Sequence, residues 1–230
     1  MPVALVTGGS AGLGKALTQA LAEDGWRVVV DGRDAGRLAE IAAHPQVVAV
    51  PGDVSDEWHR GALLDAVERE GRLDLLVHNA SSLGPTPLPR LDTTSTTDLA
   101  RVWAVNVGAP LALTADLLPR LLASRGVLAS VSSDAAVEHY PGWGLYGATK
   151  AALDHLTLTF AAENPGLSAY AIDPGDMRTQ MHQDAFPGED ISDRPVPETV
   201  VPHLLALLAS RPPSGRYRAA DLPVPTPAGA

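Results

Sequence analysis

The sequence predicts an α/β fold: a single doubly wound domain, residues 1–230, whose mostly parallel sheet is flanked by helices on both faces. Three observations point there. Short β-type apolar runs alternate regularly with longer helical patterns. The runs carry no polar face, as in strands covered on both sides. A glycine-rich turn, "TGGSAGLG", joins the first run to the first helical pattern.

Each element follows from that alternation. "VALVT" at Val3–Thr7 is the first strand, and Gly12–Asp24 reads as the first helix. The run Arg27–Val30 gives the second strand and Asp34–Ala43 the second helix. Val47–Val50 is a third strand, followed by a helix over Asp56–Glu70, with Ser55 as the expected cap. Leu73–His78 is a fourth strand, and a long helical stretch spans Ser95–Ser124. Val127–Val131 and Ala169–Ile172 are strands on either side of a helix over Tyr146–Glu163. A last helix is expected at Pro197–Ala209. The tail over 212–230 ends "LPVPTPAGA" and reads as irregular, with a disordered end.

Composition bounds the function. At 230 residues and 45% hydrophobic, the chain can bury a sizeable core. A net charge of −10 repels phosphate backbones and argues against nucleic acid as partner. With no cysteine, disulfides, thiolate chemistry and Cys-based zinc sites are excluded, which fits a cytoplasmic protein. The start lacks a signal-peptide pattern, and no run of about 18 uncharged apolar residues predicts a membrane helix. The histidines show no paired ligand spacing, so no metal site is expected.

The glycine turn has two readings. Gly8-Gly9-Ser10-Ala11-Gly12 fits G-x-S-x-G, the turn that exposes a hydrolase serine nucleophile. Extended by Thr7 and Gly14, the same residues form T-G-x-x-x-G-x-G, a loop that lets a helix N-terminus meet a pyrophosphate in a Rossmann-type fold. A nucleophile elbow normally follows several strands, which argues against Ser10 in that role. The second strand ends "RVVVDGRD", where a dinucleotide fold meets the adenosine ribose. An acid there suits the 2′-hydroxyl of NAD and a base the 2′-phosphate of NADP; Asp31, Arg33 and Asp34 are all candidates. Asp53 either contacts adenine or caps a helix.

Tyr146 and Lys150 are four residues apart at a helix start, so they share one face. An ammonium beside a phenol favours the phenolate, lowering its pKa toward the range of a general acid–base. Ser133, just past the fifth strand, is placed to donate a hydrogen bond to a carbonyl oxygen. It would lie on the same carboxyl edge of the sheet as the glycine turn.

Together these residues resemble the classical short-chain dehydrogenase/reductase family. "TGGSAGLG" is similar to its cofactor loop, so the resemblance assigns cofactor contacts to Gly8, Ser10, Gly12, Leu13 and Gly14. Asp53-Val54 resembles its adenine-contacting pair, and "HNAS" at His78–Ser81 its N-N-A-G, keeping Asn79 and Ala80. "VNV" supplies its active-site asparagine at Asn106. Ser133, Tyr146 and Lys150 fit its Ser…Tyr-x-x-x-Lys. "DPGDMRT" resembles the segment flanking the nicotinamide, bringing in Pro174, Gly175 and Thr179.

The resemblance implies hydride transfer between a nicotinamide and a small or medium carbonyl or alcohol. It implies that Tyr146 passes the proton and that Lys150 lowers its pKa and binds the nicotinamide ribose. Ser133 would hold the substrate oxygen, and Asn106 would anchor a water of the proton relay. Arg33 falls where NADP-preferring members carry arginine, and Gly32 where NAD-preferring members carry aspartate. NADP(H) is therefore expected over NAD(H), although Ala11 stands where many NADP enzymes have a basic residue. Ser81 departs from the family's glycine, and the end lacks its V-D-G-G strand. A homodimer through Ser95–Ser124 and Tyr146–Glu163 is expected, with the homotetramer in doubt. Substrate-binding loops are expected at Ser82–Thr94, Asp134–Leu145 and Asp176–Pro197, the last a lid carrying Met177, Met181 and Phe186. His139, Tyr140 and Trp143 are further candidate pocket residues. A non-catalytic dinucleotide sensor and a Ser10 hydrolase are the alternatives.

Overall fold

The structure is a computed structural model that describes residues 1–223. Its strands are β1 Val3–Val6, β2 Arg27–Gly32, β3 Val47–Pro51, β4 Leu75–His78, β5 Val127–Val131, β6 Ser168–Asp173 and β7 Gly215–Arg218. Among the described residues they form one seven-stranded sheet, ordered β3-β2-β1-β4-β5-β6-β7, and each neighbouring pair is parallel. The helices are α1 Gly12–Glu23, α2 Ala35–Ile41, α3 Glu57–Glu70, α4 Thr96–Trp103, α5 Ala109–Ser124, α6 Gly144–Glu163, α7 Gln180–Ala185 and α8 Val201–Ser210.

Strand alternation explains the two layers. Ala4 and Val6 of β1 pack into a core with Leu17, Leu21, Leu204 and Leu207 of α1 and α8. Val3 and Leu5 point the other way, into a core with Leu63, Val67, Leu113 and Leu117 of α3 and α5. The strand order reverses on either side of β1, and that switch point opens a crevice at the carboxyl ends of the strands.

Three expectations need correction. The helix expected over Ser95–Ser124 is divided: Ala104–Gly108 form a π turn between α4 and α5. By length and composition the run Thr96–Ser124 is apolar enough to cross a membrane, yet its Leu113, Leu117 and Leu121 belong to the second core. Asp56 rather than Ser55 caps α3, accepting from the Trp58 and His59 amides, because Ser55 donates its own amide and hydroxyl to Asp53. Residues 215–218 of the tail are a strand: "GRYR" pairs with Tyr170–Asp173 of β6. The tail's expected disordered end lies, from residue 224 on, outside the described residues.

Tyr170 ties this edge together. It is fully buried, donates its hydroxyl to the Pro212 carbonyl at 2.9 Å and packs edge-on against Tyr217. Truncating a buried aromatic costs about 3–5 kcal/mol. Tyr170→Ala should therefore lower the urea midpoint by that much stability at unchanged slope.

Candidate active site

A cleft of about 370 Å³ runs along the carboxyl edge of the sheet, from Arg33 and Asp53 at one end to Tyr146 and Met181 at the other. Its floor is the glycine turn. Gly8 has φ +67°, and a Cβ there would come within 2.7 Å of the Ala80 Cα, so only glycine lets β1 and the end of β4 approach this closely. Thr7 Oγ1 accepts from the Asn79 and Ala80 amides, both at 3.1 Å. Asn79 Nδ2 donates to the Thr7 and Gly8 carbonyls. Asn79 and Ala80 thus line the cleft while fastening the turn.

The turn fits a pyrophosphate on its own evidence. Helix α1 has no side-chain cap, with Ala11 at the capping position, so its first-turn amides lack a local acceptor and open where Ser10, Gly12 and Leu13 line the cleft. Gly14 presses on the Gly8 carbonyl, 2.5 Å from where a Cβ would sit. Thr179, which caps α7, approaches Gly12 from above. Among the described residues no histidine hydrogen-bonds Ser10, so the hydrolase reading lacks its base.

The three candidates at the β2 tip differ in what their side chains engage. Asp31 is buried, with one carboxylate oxygen accepting from the Gly8 amide at 2.6 Å and the other 3.0 Å from His59 Nε2. Asp34 caps α2 through the Arg37 amide. Arg33 is the exposed group at the cleft mouth. Burial pushes the Asp53 carboxyl up, but Ser55 hydrogen bonds and the Arg33 and His59 charges outweigh it and hold it below its usual range. Asp53 and Val54 line the same end of the cleft.

The far end gathers residues from distant parts of the chain. Asn106 in the π turn is fully buried. Its Nδ2 donates to the Ser82 carbonyl and to Thr149 Oγ1, both at 2.9 Å, and its Oδ1 accepts from the Ser82 amide and the Ser81 hydroxyl. With these four contacts the amide fastens the β4 loop to α6. Lys150, 1% exposed, donates to the Val131 carbonyl at 2.7 Å, with Nζ 5.6 Å from the Tyr146 ring centre. Burial pushes the Lys150 ammonium down to about 8 while Asp154 pulls it back.

The Tyr146 phenol departs from the expected direction. Burial raises its pKa, and the Ser81 and Ser133 side chains only partly offset this. Asp134 and Asp173 add to the rise. The reason is desolvation: Tyr146 is 7% exposed, so the phenolate loses more hydration than nearby hydroxyls return.

Two contributors escaped the sequence. Ser81 reads there only as a glycine replacement, yet its side chain meets both Tyr146 and Asn106. Arg216 of β7 donates to the Ser133 carbonyl at 2.8 Å, to Asp154 at 3.1 Å and to Asp173 at 3.4 Å. The only local signal was a basic residue in an unassigned tail. Pro174 and Gly175 follow β6 and line the cleft beside Asp173, which accepts from the Gly175 amide.

His78 carries a pH signature. Burial, with the Lys150 charge, pushes its imidazole down to about 3. Between about 6.5 and about 3 the unfolded chain binds a proton that the folded chain refuses, so stability falls as pH drops through that window. The urea midpoint should fall from pH 7 to pH 4.5, and His78→Asn should make that fall shallower.

Residues 2–190 match the family described as short chain dehydrogenase. A serine 3-dehydrogenase from Agrobacterium fabrum is 32% identical over 182 residues, 76% of this chain and 72% of that protein. Sepiapterin reductase from Bos taurus is 32% identical over 197 residues, 78% of this chain and 74% of that protein. A solved short chain dehydrogenase from Shigella flexneri complexed with NADP matches with a TM-score of 0.88 at 30% identity, over 95% of this chain and 97% of that one.

Proposed function

The chain belongs to the short-chain dehydrogenase family of oxidoreductases, and on that premise we propose that it transfers a hydride between NADP(H) and a small or medium carbonyl or alcohol, with Tyr146 as general acid–base. One observation carries this reading: the uncapped α1 N-terminus and the Tyr146–Ser133–Lys150 group sit at two parts of one cleft. A nicotinamide dinucleotide supplies the hydride when bound.

The chain's own groups then have distinct tasks. Tyr146, its pKa raised by burial, keeps its phenol protonated at neutral pH and gives that proton to a carbonyl oxygen in the reducing direction. Ser133, beside the phenol, would turn its hydroxyl from Asp134, which accepts it at 3.0 Å in this structure, to the same oxygen. Lys150 stays cationic near neutrality and sets the positive potential under the phenol. Asn106 positions Ser81 and α6 rather than meeting substrate. The same reading has Gly8, Ser10, Gly12, Leu13 and Gly14 hold the diphosphate, Asp53 and Val54 the adenine, and Pro174, Gly175 and Thr179 the nicotinamide.

NADP(H) is favoured over NAD(H) because Asp31 spends both carboxylate oxygens on Gly8 and His59, which leaves Arg33 to meet a 2′-phosphate. The NADP complex of the Shigella relative supports this choice. The reading extends to a homodimer through α4, α5 and α6, where Leu99, Trp103 and Leu111 stand exposed, and to a cytoplasmic location.

Two measurements test it. Tyr146→Phe should cut carbonyl reduction by about 100-fold or more while NADPH affinity stays within about twofold. Equal turnover in that variant would remove Tyr146 from the chemistry, and tight NADPH binding without turnover of any carbonyl would favour the sensor alternative. Arg33→Ala should weaken NADPH roughly tenfold or more in a fluorescence titration and leave NADH nearly unchanged.

A further inference from the structure

The substrate half of the cleft has a definite charge and shape. Among the described residues, the lysine and arginine side chains lining the cleft are Arg33, at the β2 tip, and Lys150, buried and committed to the Val131 carbonyl. Carboxylates, by contrast, stand beside the reacting group. Asp134 follows Ser133 directly. It accepts from the Ser133 hydroxyl at 3.0 Å, from the Ala135 amide at 2.8 Å and from the Tyr140 hydroxyl at 3.0 Å. The Ala135 and Tyr140 bonds keep its charge there when Ser133 turns to a substrate oxygen. Asp176 also lines the cleft, and its partners are Arg194 at 3.6 Å and His182 at 3.8 Å.

The remaining wall is apolar and flat. Trp143 lines the cleft, meets Tyr146 edge-on with ring centres 5.7 Å apart, and touches Phe186 at 5.9 Å. Leu83, Leu88 and Met181 pack in the same cluster around Tyr146. Such a wall gains from a ring laid against it. A carboxylate on the carbon next to the reacting carbonyl would instead sit in the field of Asp134, while the Lys150 ammonium is committed to the Val131 carbonyl.

We propose that the substrate is a neutral ketone or dicarbonyl with an aromatic group beside the reacting carbon, and that Asp134 and Trp143 are the residues that select it, Asp134 by repelling acids and Trp143 by seating the ring. The inference rests on Tyr146 being the group that meets the carbonyl oxygen. Reduction consumes one hydride from the dinucleotide and one proton through Tyr146, and turns the carbonyl into a hydroxyl.

The test uses the full chain with NADPH and three compounds that separate charge from ring. Phenylpropanedione and benzoylformate share an aryl ketone but differ in a neutral acetyl against a carboxylate. Butanedione keeps the dicarbonyl and lacks the ring. The expected result is a kcat/KM for phenylpropanedione roughly tenfold or more above each of the others. Asp134→Asn should narrow the gap to benzoylformate, and Trp143→Ala should narrow the gap to butanedione, each with little effect on the other ratio. Benzoylformate or butanedione turned over as well as phenylpropanedione would overturn the inference and leave the reductase reading standing. NADPH bound but oxidised with none of the three, nor with any simple aldehyde, would sink both.

Discussion

The cleft depends on one close approach. The backbone at Gly8 lies against Ala80 at the end of β4, with no room for a side chain between them. Thr7 and Asn79 then stitch the two strand ends together with their side chains. That contact holds the two strands of the switch point together, and the first turn of α1 is aimed by it. The Gly8 amide is held from the other side by Asp31. A turn gripped from both flanks is preorganised, so less ordering remains to be done when a diphosphate arrives.

The catalytic end is organised by buried charge rather than by glycine. Lys150, Asp154, Asp173 and Arg216 gather under Ser133 and come from α6, β6 and β7. Burial drives Asp154 up even though Ser132, Arg216 and Lys150 all favour its charged form. Removing one member of such a group leaves another charge uncompensated. This explains why the last strand, which adds little apolar surface, belongs to the site: Arg216 reaches the Ser133 carbonyl from it. The same low polarity raises the Tyr146 phenol and lowers the Lys150 ammonium, so both groups move toward their neutral forms.

The two ends answer different chemistries. At the β2 tip the carboxylate is turned inward and the guanidinium faces out, which suits an added phosphate. At the Tyr146 end the carboxylates face the cleft and the nearby cation is withdrawn to the strand backbone, which suits a neutral, apolar reactant. On the proposed reading, one acidic chain would take a highly charged dinucleotide and refuse a small acid, because local placement and not net charge decides each case.

The sequence by itself determined the alternation of strands and helices, the glycine turn after β1, and the order Asn106, Ser133, Tyr146, Lys150. Each is a local signal: apolar runs have a period, a turn needs particular residues, and residues four apart share a helix face. The tertiary structure alone decided which of Asp31 and Arg33 is available, because Asp31's partners, Gly8 and His59, lie 23 and 28 residues away. It alone showed that "GRYR" is a strand, since its one inward cation is satisfied by a carbonyl 83 residues distant rather than by an apolar pattern. The direction of the Tyr146 shift also waited on the fold. A nearby lysine can be read from spacing, but the loss of water around a phenol depends on everything packed against it.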